Sequence, residues 1–292
     1  MNEAALRATA CAWFANAQPA VVVQVQSHRG SVPREAGTRM LVSVYQVLGT
    51  IGGGHLELQA IDKARALLQQ GPDARPVEQP LSLGPSLGQC CGGALQLRYA
   101  PLAQDNPAAW APIPPRFSLQ LYGAGHVGRA IVRLLQELPC QVTWIDERES
   151  EFPTAPLPPH IQVVCADSVQ AEVARAQPGD YFLVLTHSHE LDLAITLAVM
   201  QRGEFGFFGL IGSKSKRARF EHRLLERGIH ASLLRRLHCP IGLSGVVGKE
   251  PAVLALAVVA QLLQVSMAPT FCGSVMVQNV DAVPIGGSSL AR

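Results

Sequence analysis

Two adjacent thiols, Cys90 and Cys91, stand in the stretch "LGQCCGGALQL" (87–97), with glycines on both sides. Neighbouring cysteines rarely bridge each other, because the small ring so formed strains the peptide between them. Four uses stay open for the pair: small apolar filling, a metal clamp, a nucleophile, or a handle for a soft ligand. Glycine N–H groups close by would lower a thiol pKa and favour the thiolate.

A glycine fingerprint is the second candidate. "LYGAGHVGRAIVRLLQEL" carries Gly123, Gly125 and Gly128 in G-x-G-x-x-G spacing, with His126 inside it. A predicted strand precedes it, a predicted helix follows, and Asp146 ends the next strand, 23 positions after Gly123. In a dinucleotide site the first glycine makes the turn, the second admits a pyrophosphate, and the third lets helix pack on strand. The helix N-terminus attracts the anion. Asp146 would then take a ribose hydroxyl, so NAD or another nucleotide is the candidate ligand. The same glycines also suit a tight strand–helix turn with no nucleotide.

Three further loops carry chemistry. "THSHELD" offers His187, His189 and Asp192. Two imidazoles suit zinc, but Leu191 stands where a metallohydrolase pattern wants an acid, so a pocket-lining role is the stronger reading. "GLIGSK" offers Gly212, Ser213 and Lys214, a capped helix start with a cation beside it, suited to phosphate. It opens a basic segment, 201–239, with nine Lys/Arg against three acids, which also reads as a solvated helix face. "GTIGGGHLE" sets Gly52, Gly53 and Gly54 before a helix, where a nest of N–H groups would hold another anion. A plain tight turn is the alternative there.

The elements that must position these loops fall in two halves. Residues 1–103 read as a mixed α+β domain: a helix near 3–16, strands at "AVVVQVQ", "TRMLVSV", "QVLGTI" and "ALQLRYAPL", and an amphipathic helix closed by Gly71. Residues 104–116, "QDNPAAWAPIPPR", hold four prolines and no periodicity, and read as a linker. Residues 117–265 alternate apolar strand runs with helices near 126–137, 168–176, 190–201, 213–227 and 250–264. That alternation predicts a Rossmann-like, doubly wound parallel sheet covered on both faces. Ligands of such sheets bind at the carboxyl ends of the strands, where the loops after the first, fourth and fifth strands converge. Residues 266–292 read as a tail, loosely ordered or used at an interface.

Composition sets the outer bounds. A chain of 292 residues with 48% hydrophobic and only 16% charged residues has material for two buried cores. A net charge of +2 makes no case for nucleic acid. The longest apolar run, "AVLALAVVA" at 252–260, is far short of the ~20 residues of a membrane span. Seven scattered cysteines read as reduced thiols in the cytoplasm. The sparse charge leads us to expect a homodimer.

Taken together, "GSVPREAGTRMLV", "GTIGGGHLE", "LGQCCGG", "LYGAGHVGRA", "IDER", "LTHSHELD", "GLIGSKSKRARF" and "HCPIGL…GKEPAVLALAVVAQL" resemble the xanthine dehydrogenase accessory protein family, XdhC, with the related CoxI proteins. The resemblance covers about residues 20–265 in order. It implies an N-terminal XdhC/CoxI domain followed by a Rossmann-like domain. It further implies a non-enzymatic chaperone that holds the molybdenum cofactor (molybdopterin) while a cysteine desulfurase sulfurates it. The cargo then passes to the molybdenum-binding subunit of xanthine dehydrogenase, in purine catabolism. The family's cofactor-binding cysteine falls in "LGQCCGG", which assigns the molybdenum to Cys90 or Cys91. Soft molybdenum and dithiolene sulfur suit a thiolate donor, and the cofactor's phosphate suits glycine nests and helix N-termini. Two enzymatic alternatives compete: an NAD-dependent oxidoreductase with a redox cysteine, and a metal hydrolase on His187 and His189.

Overall fold

The computed structural model describes residues 3–83, 92–111 and 114–267. Cys90, Cys91 and most of the expected tail lie outside the described residues.

The first domain is built on a five-stranded antiparallel sheet. Its strands are β1 (Val21–Arg29), β2 (Arg39–Val42), β3 (Val47–Gly49), β4 (Val77–Ser82) and β5 (Ala94–Pro101), in the order β3-β2-β1-β5-β4. Alternate residues of β1 serve the two faces, as the two-residue period of a strand requires. Val21, Val23 and Val25 pack under α2 (Gly54–Leu68) through Leu56, Ala60, Ala64 and Leu67. Val22 faces the other way, onto Leu6, Ala10 and Trp13 of α1 (Glu3–Ala15).

Strand β4 escaped the sequence reading. It lies at the sheet edge, alternates half-buried and exposed positions, and carries Pro80, which an edge tolerates. The β4–β5 hairpin is pinned where its two strands meet their connection. Leu83 N donates to Gly93 O at 2.8 Å, and a Cβ on Gly93 would sit 2.2 Å from Ser31 O. The cysteine pair belongs to the connection between these anchors.

The expected linker is partly packed structure. Two 3₁₀ turns, Leu102–Gln104 and Pro107–Ala109, run along the first domain. Trp110 is buried with α1, its Nε1 donating to Asp105 Oδ1 at 2.7 Å, while Asp105 Oδ2 accepts from Arg98. A buried tryptophan ties this proline-rich segment to the first domain.

The second domain holds a six-stranded, all-parallel sheet: β6 (Ser118–Tyr122), β7 (Gln141–Asp146), β8 (Ile161–Cys165), β9 (Tyr181–Val184), β10 (Phe207–Leu210) and β11 (Leu237–His238). The order β11-β10-β9-β6-β7-β8 reverses direction between β6 and β9, the switch point of a doubly wound fold. One face is covered by α3 (His126–Leu135) and α7 (Pro251–Met267), through Ile131, Leu135, Val258 and Leu262. The other is covered by α4 (His189–Arg202) and α5 (Lys214–Leu225), through Ile195, Val199, Phe220 and Leu224. A short α6 (Ala231–Leu234) leads into β11. The helix expected near 168–176 is a 3₁₀ run, Val169–Arg175, and α7 extends to Met267. No helix among the described residues is long and apolar enough to cross a membrane.

Candidate functional site at the glycine rim

The carboxyl ends of β6, β7, β9 and β10 form the rim. Gly123 turns the chain out of β6 with φ +121°, and a Cβ there would lie 2.4 Å from Leu185 O. A Cβ on Gly128 would lie 2.1 Å from Gly123 O, so this glycine lets α3 close onto the turn. Gly125 is different. Its φ is −67°, which any residue adopts, and nothing lies within 4 Å of an added Cβ. Neither backbone nor packing requires glycine there; the missing side chain leaves space in front of α3. The start of α3 has no side-chain cap, and His126, its first residue, is exposed. Free N–H groups and the helix dipole therefore face open space, a fitting place for a phosphate oxygen.

The ribose end departs from expectation. Asp146 is 4% exposed, and its two oxygens are taken by this chain. Oδ1 accepts from Arg148 N and Arg148 Nε, each at 3.0 Å. Oδ2 accepts from Ala124 N at 2.6 Å and from Arg148 Nη2 at 3.0 Å. A carboxylate offers about four lone-pair sites, and four donors occupy them. Burial pushes the Asp146 carboxyl up, but Arg148 and the Ala124 amide outweigh it and hold it below the usual carboxylate range. Arg148 also reaches Glu151, which binds Arg129 of α3 at 2.7 Å. The pyrophosphate end is thus uncapped, while the carboxylate at the ribose end is engaged by Arg148 and Ala124.

Two loop contacts cross the rim. His187 Nε2 lies 3.5 Å from Glu147 Oε1. Because β6 sits between β7 and β9, this pair bridges the end of the glycine strand. Beneath it, Asp192 is 0% exposed. Its Oδ1 accepts from Thr186 N at 2.9 Å and Thr186 Oγ1 at 2.7 Å, and its Oδ2 meets Lys216 Nζ at 2.5 Å. Lys216 Nζ also donates to Ile211 O at 2.9 Å. This buried pair joins the β9 and β10 loops. The sequence reading weighed Asp192 only as a metal ligand and Lys216 only as part of a basic run. The available signal was an acid among Leu191, Leu193 and Ile195, on the inward side of a helix start.

The metal-hydrolase arrangement is not assembled. His189 is the exposed first residue of α4, His187 faces Glu147, and Asp192 is committed to Lys216. Among the described residues no group of three or more His, Cys, Asp or Glu could hold a metal ion.

The other two expected anion sites are each met in part by the chain's own side chains. Ser213 caps α5, its Oγ accepting from Lys216 N at 3.2 Å, while Lys214 lies exposed beside it and Gly212 packs against the Lys216 stem. The nest before α2 holds the chain's own Glu57: its Oε2 accepts from Ile51 N and Gly53 N, each at 3.1 Å, and from Thr50 Oγ1. Gly52 N donates to Thr50 Oγ1, and Gly54 begins the helix. The Gly52–Gly54 turn is therefore a Glu57-capped helix start. Of the three expected anion cradles, the Gly52–Gly54 nest holds Glu57, the start of α5 is capped by Ser213, and the start of α3 at Gly125 has no side-chain cap.

A cavity of about 420 Å³, lined by Arg7, Arg39, Trp110, Cys140 and His160 among others, opens between the domains. It lies at the starts of β7 and β8, at the opposite end of the sheet from the rim. Burial pushes the Cys140 thiol there up to about 12, so it is no nucleophile near neutral pH.

Comparison with known proteins agrees with this architecture. Residues 119–262 match the model of the XdhC Rossmann domain, and residues 13–77 match that of the XdhC and CoxI family. A protein of Escherichia coli K12, YqeB, itself uncharacterised, is 29% identical over 252 residues, covering 85% of this chain. The chain spans 43% of that relative's length. A crystal structure from Bacillus halodurans, described as a xanthine dehydrogenase, superposes with a TM-score of 0.71 at 19% identity. It covers 94% of this chain and 98% of its own, a likeness of fold.

Proposed function

The chain belongs to the XdhC family, and from that premise we propose that it is a maturation factor that carries the molybdenum cofactor to apo xanthine dehydrogenase. The observation that supports this reading best is the open cradle at Gly125. An uncapped helix start with side-chain space in front of it suits the phosphate of the cofactor, or the pyrophosphate of its dinucleotide form.

Cys90 or Cys91 would supply a soft thiolate donor to the molybdenum. The pair belongs to a connection whose two ends are pinned at Leu83 and Gly93, which suits a donor loop on a fixed base. A few soft contacts release cargo more readily than a closed four-ligand cage. A cysteine desulfurase sulfurates the cargo while it is held, and a homodimer is the working form. The protein is an accessory factor on this reading, not a catalyst. The oxidoreductase alternative is disfavoured by Asp146, whose acceptor sites Arg148 and Ala124 occupy.

The test is activation. Purified chain loaded with cofactor is added to cofactor-free xanthine dehydrogenase, beside an equal concentration of free cofactor. A several-fold gain in urate formation over free cofactor supports the reading. No gain with the loaded chain overturns it.

A further inference from the structure

The rim pairs an open phosphate end with a closed ribose end. Asp146 stands at the position from which a dinucleotide-binding strand holds the adenosine ribose. Here its carboxylate is 3% exposed and receives four hydrogen bonds, three of them from Arg148. A hydroxyl can reach it only by displacing a charge-assisted, bidentate contact.

An arginine near this position can instead mark a site for the 2′-phosphate of NADP. The surroundings argue against that. Arg148 is spent on Asp146 and lies among Glu147, Glu149 and Glu151, while Arg129, the neighbouring cation, is paired with Glu151. A phosphate at this end would meet more carboxylates than free donors.

We propose that Arg148 is a specificity-determining residue: by saturating Asp146 it closes the adenosine half of the dinucleotide crevice and keeps NAD and NADP out. The rim then serves ligands whose anion sits at α3 and whose remainder lies toward β9 and β10. The closure is local, between residues two apart in sequence, and holds whatever the physiological cargo is. Removing the guanidinium frees one acceptor position on each of Oδ1 and Oδ2.

The experiment titrates the full chain with NAD, NADP and ADP-ribose by calorimetry, using the wild type, Arg148→Ala, and Arg148→Ala with Asp146→Ala. Thermal melts confirm that each variant is folded. Arg148→Lys, whose single ammonium cannot span both oxygens, stands in if the alanine variant fails to fold. The wild type is expected to bind none of the three tighter than millimolar. Arg148→Ala should gain at least tenfold for NAD and ADP-ribose, and the double variant should lose that gain. Micromolar NAD or NADP binding by the wild type overturns the proposal. So does a folded Arg148 variant with unchanged NAD affinity. Neither result bears on the activation assay, so the carrier reading stands or falls separately.

Discussion

Lys216 Nζ lies 2.5 Å from Asp192 Oδ2, an ion pair with side chains 10% and 1% exposed that ties the start of α4 to the start of α5. The loops after β9 and β10 are therefore tied to each other at the rim. Breaking a buried pair leaves an uncompensated charge, at a cost of about 3–5 kcal/mol. Lys216→Met should lose stability on that scale in urea melts. Adding Asp192→Asn to it should restore much of the loss, because the orphaned charge is gone.

The three fingerprint glycines should separate by experiment. Gly128→Ala drives a Cβ to 2.1 Å from a carbonyl oxygen and should cost about 2 kcal/mol or more, as overpacking does. Gly125→Ala meets no atom and should cost about 1 kcal/mol at most, the difference between glycine and alanine at an N-cap. Cargo retention should fall in the Gly125 variant although its melt is nearly unchanged.

Asp146 makes stability depend on pH in a defined direction. Its pKa is held below the unfolded value of about 3.9, so its contribution is complete above about pH 5 and is lost as pH falls through the folded value. In Arg148→Ala the counter-charge is gone while burial still pushes the carboxyl up. The stability deficit of that variant should be largest at pH 7 and should shrink toward pH 3, read from melting temperatures across the series.

Glu57 fills the nest before α2, so its removal should expose an anion site. Glu57→Ala leaves the amides of Ile51 and Gly53 without their acceptor, at about 1–3 kcal/mol. Millimolar phosphate should recover part of this loss in the variant and do little for the wild type.

The sequence carried the second domain well because each strand there is an apolar run flanked by helical periodicity, and Gly123 and Gly128 sat where the strand–helix turn requires glycine. It carried the first domain less completely. Strand β4 alternates weakly and contains Pro80, and the 104–116 segment is held by Trp110 and Asp105 in contacts that spacing does not reveal. The pattern could not show where short-range side chains compete with a ligand. Glu57 reaches back onto Gly53, and Arg148 folds back onto Asp146, two positions away; both satisfy locally a group that the pattern alone offers to a ligand. The carrier role of Cys90 and Cys91 rests on the family resemblance, since both lie outside the described residues.

The most direct measurement is anaerobic purification of the chain from a molybdenum-replete host, with molybdenum by elemental analysis and pterin by fluorescence after oxidation. The wild type should carry both in equal amounts, approaching one per chain, and Cys90→Ala or Cys91→Ala should lose most of the molybdenum at unchanged fold. A wild-type protein that purifies and reconstitutes without pterin, or two cysteine variants that retain their molybdenum, would contradict the account.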